Sequence, residues 1–287
     1  MSSAPQRTLK PARAQPELVP DLIFDVGFHR GEDTVYYLRK GFRVVAFEAQ
    51  PELVDEAQRR FAAEIADGRL RLVPGAITAE RQDSVTFYTH SRLSAWGTTE
   101  LQRAQRNNVM GESVSVTVPA VDFAACLRDY GVPHYLKIDI EAADMLCLEA
   151  LAEIAPAQRP RYASIEAESE TWAGVVRQFD LLERLGYSRF AIVQQGNIGG
   201  RVGPIATRDG RTVPNRFEMF SSGPFGEDLG GPWTDKREAM RRYRRILPAL
   251  IVAHAFDQLP KGTEIRYVVG ALVRRPLPGW FDIHAAR

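Results

Sequence analysis

From Leu22 to Gln194 the chain alternates between short apolar runs and amphipathic stretches. Leu22–Val26 and Arg43–Phe47 are nearly unbroken in Leu, Ile, Val and Phe. That is the pattern of parallel strands buried on both faces. Thr34–Lys40 between them reads as a helix that Gly41 stops. Pro51–Ala66 follows as a longer helix, with Pro51 in its first turn and Leu53, Ala57, Phe61 and Ile65 on the face toward the sheet. Leu70–Ile77 reads as the third strand. Ser84–His90 and Ser113–Pro119 alternate polar and apolar residues, which predicts half-buried strands flanking a polar loop. Val121–Tyr130 reads as a short helix, Tyr135–Ile140 as a strand and Ala142–Leu151 as a helix. Arg161–Glu166 is a further strand. Thr171–Leu185 carries Val175, Val176, Phe179, Leu182 and Leu185 on one face, with Gly186 as its C-cap, and Arg189–Gln194 is a strand again. The alternation predicts a doubly wound α/β sheet with helices on both faces.

Past Gly196 the pattern changes. Gly and Pro punctuate the chain, a helical stretch Asp235–Asp257 breaks near Pro248, and Glu264–Arg274 reads as a long last strand. Residues 197–262 are therefore expected to be an insertion that caps the site or packs on a sheet edge. Residues 1–20 read as a mobile or loosely docked arm, and residues 21–287 as one elaborated domain.

Composition narrows the classes. The formal net charge of +1 provides no field for nucleic acid or an anionic membrane. One basic cluster, Lys236, Arg237, Arg241, Arg242, Arg244 and Arg245, reads as a solvated helix face. Cys126 and Cys147 lie in apolar helical patterns and read as buried free thiols, with neither zinc spacing nor a disulfide framework. No signal peptide or membrane-length apolar run is visible, which makes a cytoplasmic protein the expectation. Oligomeric state is open, homo-oligomer included.

The candidate chemistry sits at the predicted strand ends. Gly27 and Gly31 bracket the turn after the first strand, and Glu48 ends the second. In an open parallel sheet an acid there meets a ribose diol. A dinucleotide loop usually has a third glycine, absent here, and Asp25 precedes the loop. An acid in that place suits a ligand with an ammonium and a sulfonium better than a diphosphate, which points to S-adenosylmethionine. An NAD-dependent oxidoreductase and a non-catalytic binding protein on the same fold are the alternatives. Ala49, one residue past Glu48, and Ala76, near the end of the third strand, are placed beside the adenine.

Three segments, DVGFHRG with FEAQPE, VDFAACLRDYGVPHYLKIDIEAAD and YASIEAE, together resemble the FkbM family of methyltransferases. The likeness covers about residues 21–170. The family runs roughly DVGANxG, FEP, then KIDVEGxE and an acid closing the next strand. Here Phe28-His29 replace Ala-Asn, and Glu141-Ala142-Ala143-Asp144 replace Glu-Gly-x-Glu. The resemblance implies a Rossmann-like class I methyltransferase fold with a seven-stranded, mostly parallel sheet. It implies S-adenosylmethionine as donor and, for most members, O-methylation of sugars, polyketides and related metabolites.

A neutral hydroxyl acceptor needs a base or a metal ion. Asp139 and Glu166, ending adjacent strands, are the expected pair, with Asp139 also near the cofactor. Mg2+ on the same acids is an alternative that strand-end carboxylates alone do not favour. Glu141 is a third acid nearby. His29 and His90 are alternative bases. His134, on the wrong side of its strand, reads as structural, and His254 and His284 have no supporting constellation. Trp96 and Trp172 could line an acceptor pocket. The expected partner is a small hydroxylated molecule.

Overall fold

The computed structural model describes residues 15–90, 97–101, 113–140, 143–167, 171–257 and 280–287, without the side chains of 90 and 253–257. The chain order of the core is β1 (Leu18–Val26), α1 (Glu32–Arg39), β2 (Arg43–Glu48), α2 (Pro51–Arg60), α3 (Ala62–Ala66) and β3 (Leu70–Pro74). Then come β4 (Ala76–Ile77), β5 (Ser84–His90), β6 (Ser113–Val121), α4 (Phe123–Tyr130), β7 (Val132–Ile138) and α5 (Asp144–Ala150). After these follow β8 (Tyr162–Glu166), α6 (Trp172–Arg184), β9 (Arg189–Gln194), the hairpin β10 (Val202–Ala206) and β11 (Thr212–Arg216), α7 (Lys236–Asp257) and β12 (Phe281–Ala286).

Seven strands form one sheet in the order β3-β2-β1-β7-β8-β12-β9. Neighbours from β3 to β8 are parallel, and β12 enters antiparallel between β8 and β9. The order reverses between β1 and β7, and ligands bind beyond the strand carboxyl ends at such a reversal. The alternation of side chains across the strands divides the core. Leu22, Phe24 and Val26 pack with Phe123, Leu127, Leu148 and Phe179 of α4, α5 and α6. Ile23 packs on the opposite face with Tyr36 and Tyr37 of α1 and with Tyr135. Helices thus cover both faces, as the apolar strand runs require.

Several boundaries depart from the sequence reading. β1 starts at Leu18, so residues 18–20 of the expected arm pair with β7 through Leu18↔Val132 and Val19↔Pro133. The helix expected over Pro51–Ala66 breaks at Phe61, whose φ of −108° lies outside the helical range. The expected third strand splits at Gly75, which has φ +126° and passes so close to Pro119 that a Cβ would lie 2.4 Å from its carbonyl oxygen. Ala76 and Ile77 therefore leave the main sheet and pair with Ala120 and Val121 of β6, in a three-stranded sheet with β5. α7 runs through Pro248 without the expected break. Its buried Ala239, Tyr243, Leu247 and Leu250 recur at helical spacing and join the core. The strand expected at Glu264–Arg274 lies outside the described residues, and the strand that completes the sheet is Phe281–Ala286.

Four residues of the basic face of α7 have partners within the chain. Lys236 bridges Asp180 and Glu183, and Glu238 accepts from both Arg241 and Arg242. Arg244 lies over the Trp172 ring, which also packs against the core. Both cysteines are buried free thiols. No helix among the described residues is long and apolar enough to cross a membrane.

Candidate active site

The turn after β1 is built by its glycines and by Phe28. Gly27 has φ +90°, and a Cβ there would lie 1.9 Å from the Asp139 carbonyl oxygen. Gly31 has φ +82°, and a Cβ would press within 3 Å of the Phe28 and Phe61 rings. Both glycines are thus required by the protein's own packing. His29 also takes the left-handed region, with φ 52°. Asn and His are among the few side chains enriched there, which gives a backbone reason for His29 where the FkbM pattern has Asn. Its ring Nδ1 lies 2.9 Å from Glu32, so the ring is tied to the loop.

Glu48 ends β2 with its carboxylate oriented by the backbone. One oxygen accepts the His29 amide at 2.8 Å and the other accepts the Gln50 amide at 2.8 Å. Burial pushes this carboxyl up to about 7, against the pull of those amides and of His29. The Ala49 amide adds to the same pull. Beside it Ala49 packs with buried Ala76, Phe87 and Val118. Ala49 and Ala76, both expected beside the adenine, thus share one small apolar cluster, with Ala76 in the smaller sheet.

Across the α1 face of the sheet runs a polar row. Asp25 is in register with Lys137, Lys137 with Ser164, and Ser164 with His284. Lys137 is buried at 4% exposure. Its ammonium lies 3.4 Å from Asp25, 3.4 Å from Asp33 and 3.3 Å from Asp139, and donates to the Gly27 carbonyl at 3.1 Å. Burial opposes the charge on Lys137, but Asp139, Asp25, Asp33 and Asp282 outweigh it and hold the ammonium well above its ordinary range. Burial raises the Asp25 carboxyl to about 6 despite Lys137. Thr34 donates to one Asp25 oxygen at 2.7 Å, and the other faces the Lys137 ammonium at 3.4 Å.

Asp33 carries the network into the insertion. Its Oδ1 accepts the Ser221 hydroxyl at 2.6 Å and the Ser222 amide at 2.7 Å. The Arg60 guanidinium donates to the Arg30 carbonyl and to Glu218, 2.6 Å away. The segment Glu218–Gly223 is thereby held at the N-terminal end of α1, next to the loop.

Asp139 follows β7 and Glu166 ends β8. Ile138 and Ile165 are in register, so the two acids stand on neighbouring strand ends, as expected. The Asp139 side chain is half-exposed. Glu166 is in register with Asp282 of β12. Burial first, and Asp139 second, raise the Asp282 carboxyl well above the usual range, with Lys137 opposing them. Glu141 and Trp96 lie outside the described residues. His90 ends β5 opposite Ser113 in the smaller sheet. His134 stacks on Phe42, as a structural residue would. Burial lowers His284 to about 3, so it stays neutral.

Lys137, Asp33 and Asp282 escaped the sequence reading. Lys137 had a signal, since a lysine inside the apolar run YLKI must find acids. Asp33 looked like an ordinary first-turn acid. Asp282 was hidden because the last strand was placed elsewhere.

The strand order with its single antiparallel member defines a Rossmann-like class I methyltransferase fold. The family model for the methyltransferase FkbM domain matches residues 25–189, more than half of the chain, and the chain belongs to that family. No curated protein matches it. Among solved structures, the C-terminal domain of precorrin-6Y C5,15-methyltransferase from Rhodobacter capsulatus is 14% identical, over 69% of this chain and 76% of that one, with TM-score 0.35. The glycopeptide N-methyltransferase MtfA with S-adenosyl-L-homocysteine is 11% identical, over 96% and 84%, with TM-score 0.31. A SAM-dependent methyltransferase from Thiobacillus denitrificans, also in complex with S-adenosyl-L-homocysteine, is 11% identical, over 94% and 87%, with TM-score 0.30.

Proposed function

We propose that the protein transfers a methyl group from S-adenosylmethionine to a hydroxyl of a small metabolite, such as a sugar or natural product. The observation that carries this reading is Glu48. Its carboxylate is aimed by two backbone amides at the end of β2, beside the loop from Gly27 to Gly31. Such a group matches a ribose diol. Ala49 and Ala76 offer the adenine an apolar edge. Asp25, fully buried and paired with Lys137, sets negative charge under the loop beside which the methionine ammonium would lie.

When bound, the cofactor supplies a methyl group activated by a sulfonium. The chain's own residues align the acceptor and receive its proton. Asp139 is the half-exposed acid at the strand reversal, and Lys137 and the Gly27 carbonyl fix its surroundings. It takes the hydroxyl proton, and Glu166 on the next strand end orients the acceptor. His29 is bound to Glu32 and serves the loop instead. Mg2+ on Asp139 and Glu166 remains the secondary reading, tested by chelation.

Residues 197–262 belong to the same domain in this reading. α7 packs on the sheet edge, and Glu218–Gly223 borders the acceptor side of the site.

Labelled methyl transfer to a panel of hydroxylated acceptors tests the reading. Asp139→Asn is expected to lower kcat by about 100-fold or more while S-adenosylhomocysteine still binds. Transfer only to nitrogen or carbon acceptors would contradict it.

A further inference from the structure

The segment that Asp33 anchors holds two large apolar side chains out in water. Met219 is 65% exposed and Phe220 67%. Phe220 also has φ 70°, in the left-handed region that bulky side chains rarely adopt. The backbone around it is held from several sides. Asp33 accepts the Ser221 hydroxyl and the amides of Ser222 and Gly223. The Ser221 amide donates to the Glu218 carbonyl, and Glu218 pairs with Arg60. The Phe217 amide donates to the Arg201 carbonyl, and the Gly200 amide donates to the Phe217 carbonyl. A strained residue thus persists in a fixed turn, although its ring gains little from burial there.

Contacts place this turn on a rim around the strand ends. A Cβ on Gly223 would lie 2.7 Å from the Ile198 side chain, and one on Gly199 would lie 3.0 Å from the Met219 Cα. The Ile198 amide donates to the carbonyl of Gln195, which follows β9. The Gln195 amide in turn donates to the carbonyl of Trp280, which precedes β12. The rim therefore runs from Asp33 at the head of α1, through Ser221–Gly223 and Ile198, to Trp280. Asp139 and Glu166 lie between its two ends. Asp33 reaches Asp139 through Lys137, and Glu166 is in register with Asp282 of β12. Trp280 is 43% exposed. Among the described residues, Phe220 and Trp280 are the two exposed Phe, Tyr or Trp side chains, and both stand on this rim.

We propose that Phe220 and Trp280 receive an apolar ring face of the acceptor and so set its class: a hydroxylated ring compound, sugar or aromatic, rather than an open-chain alcohol. The proposal rests on the methyltransferase reading above. Laying a ring on an aromatic side chain removes apolar surface from water on both partners. It leaves the hydroxyls on the ring edge free to point toward Asp139. Met219, unbranched and adaptable, fits beside rings of different outline. Phe220 and Trp280 are thus specificity residues, and the strain at Phe220 is what keeps its ring presented.

Labelled methyl transfer by the full chain to methyl β-D-glucopyranoside, catechol and glycerol tests this. The first offers a sugar face, the second an aromatic face, and the third no ring. At least one ring compound is expected to be used with kcat/KM about tenfold or more above glycerol. Which one takes the methyl group distinguishes the two kinds of ring. In Phe220→Gly and Trp280→Ala the KM for that compound is expected to rise about tenfold, with a smaller change in kcat and unchanged binding of S-adenosylhomocysteine. Glycine adopts a positive φ readily, so Phe220→Gly is expected to melt no lower than the wild type. A clear fall in its melting point would assign the ring to packing and overturn the proposal. Equal use of glycerol overturns it, as does an unchanged KM in either variant. So does transfer to none of the three while S-adenosylhomocysteine still binds. If Trp280→Ala does not fold, Phe220→Gly decides alone. Failure of S-adenosylhomocysteine to bind has a different signature: it removes the cofactor reading, and this proposal with it.

Discussion

The ammonium of Lys137 stands 3.4 Å from the carboxylate of Asp25, its register partner on the adjacent strand, with both side chains buried. The pair ties the ends of β1 and β7 together where the sheet order reverses. Lys137 serves Asp33 and Asp139 as well, so Lys137→Met would leave several acids without their cation. Breaking a buried pair from one side costs about 3–5 kcal/mol. The loss is expected to be larger at about pH 8 than at about pH 5, because acids deprived of Lys137 hold their protons more tightly when folded. Urea denaturation at both pH values checks this, and equal losses would count against it.

Gly27 and Gly68 share a positive φ but not their surroundings. A Cβ on Gly27 would meet the Asp139 carbonyl, whereas nothing lies within 4 Å of one on Gly68. Gly68→Ala is expected to cost about 1 kcal/mol, a backbone term alone. Gly27→Ala must also push the loop off β7 and is expected to cost about 3 kcal/mol or more. Thermal unfolding of the two variants makes the comparison, and similar melting points would refute it.

Glu48 should make the free protein less stable as pH rises. Its folded carboxyl is pushed up to about 7 by burial, so the folded state binds that proton more tightly than the unfolded chain does. The favourable contribution is full below the ordinary carboxylate range and is lost as pH climbs through about 7. The span corresponds to up to about 3 kcal/mol. Asp25, raised to about 6, adds in the same direction. Melting points of the wild type and Glu48→Gln from about pH 4.5 to about pH 8 should show a shallower decline in the variant.

His29 owes its place to backbone conformation. His29→Asn keeps the left-handed preference and is expected to change stability by less than about 1 kcal/mol. His29→Val, branched at Cβ, is expected to cost about 1–3 kcal/mol. Retained S-adenosylhomocysteine binding in the asparagine variant would fit the loop role. A loss of binding there would assign the imidazole a direct part.

Much of this architecture is legible in the sequence, because buried parallel strands are written as apolar runs. Ser84–His90 and Arg189–Gln194 form with the bounds read from their pattern, and β8 differs by one residue. What escaped depends on tertiary contact. Gly75 divides a continuous apolar run because Pro119 lies against it, and Pro119 is distant in sequence. Pro248 stays inside α7 because buried Leu247 and Leu250 hold that helix to the core. Phe281–Ala286 is shorter than Glu264–Arg274 and was passed over, yet its Phe281, Ile283 and Ala285 face one side while Asp282 and His284 face the other. At the site, Asp25, Glu48, Asp139 and Glu166 stand at strand ends as their spacing implied. The buried lysine that organises several of these acids was visible only as one polar letter in an apolar strand.

Calorimetric titration with S-adenosylhomocysteine, with NAD as the control and Glu48→Ala beside the wild type, tests the central claim most directly. The account predicts binding of the thioether and none of the dinucleotide, and a loss of about 1–3 kcal/mol in the variant. Binding of NAD instead, or an unchanged dissociation constant in Glu48→Ala, would contradict it.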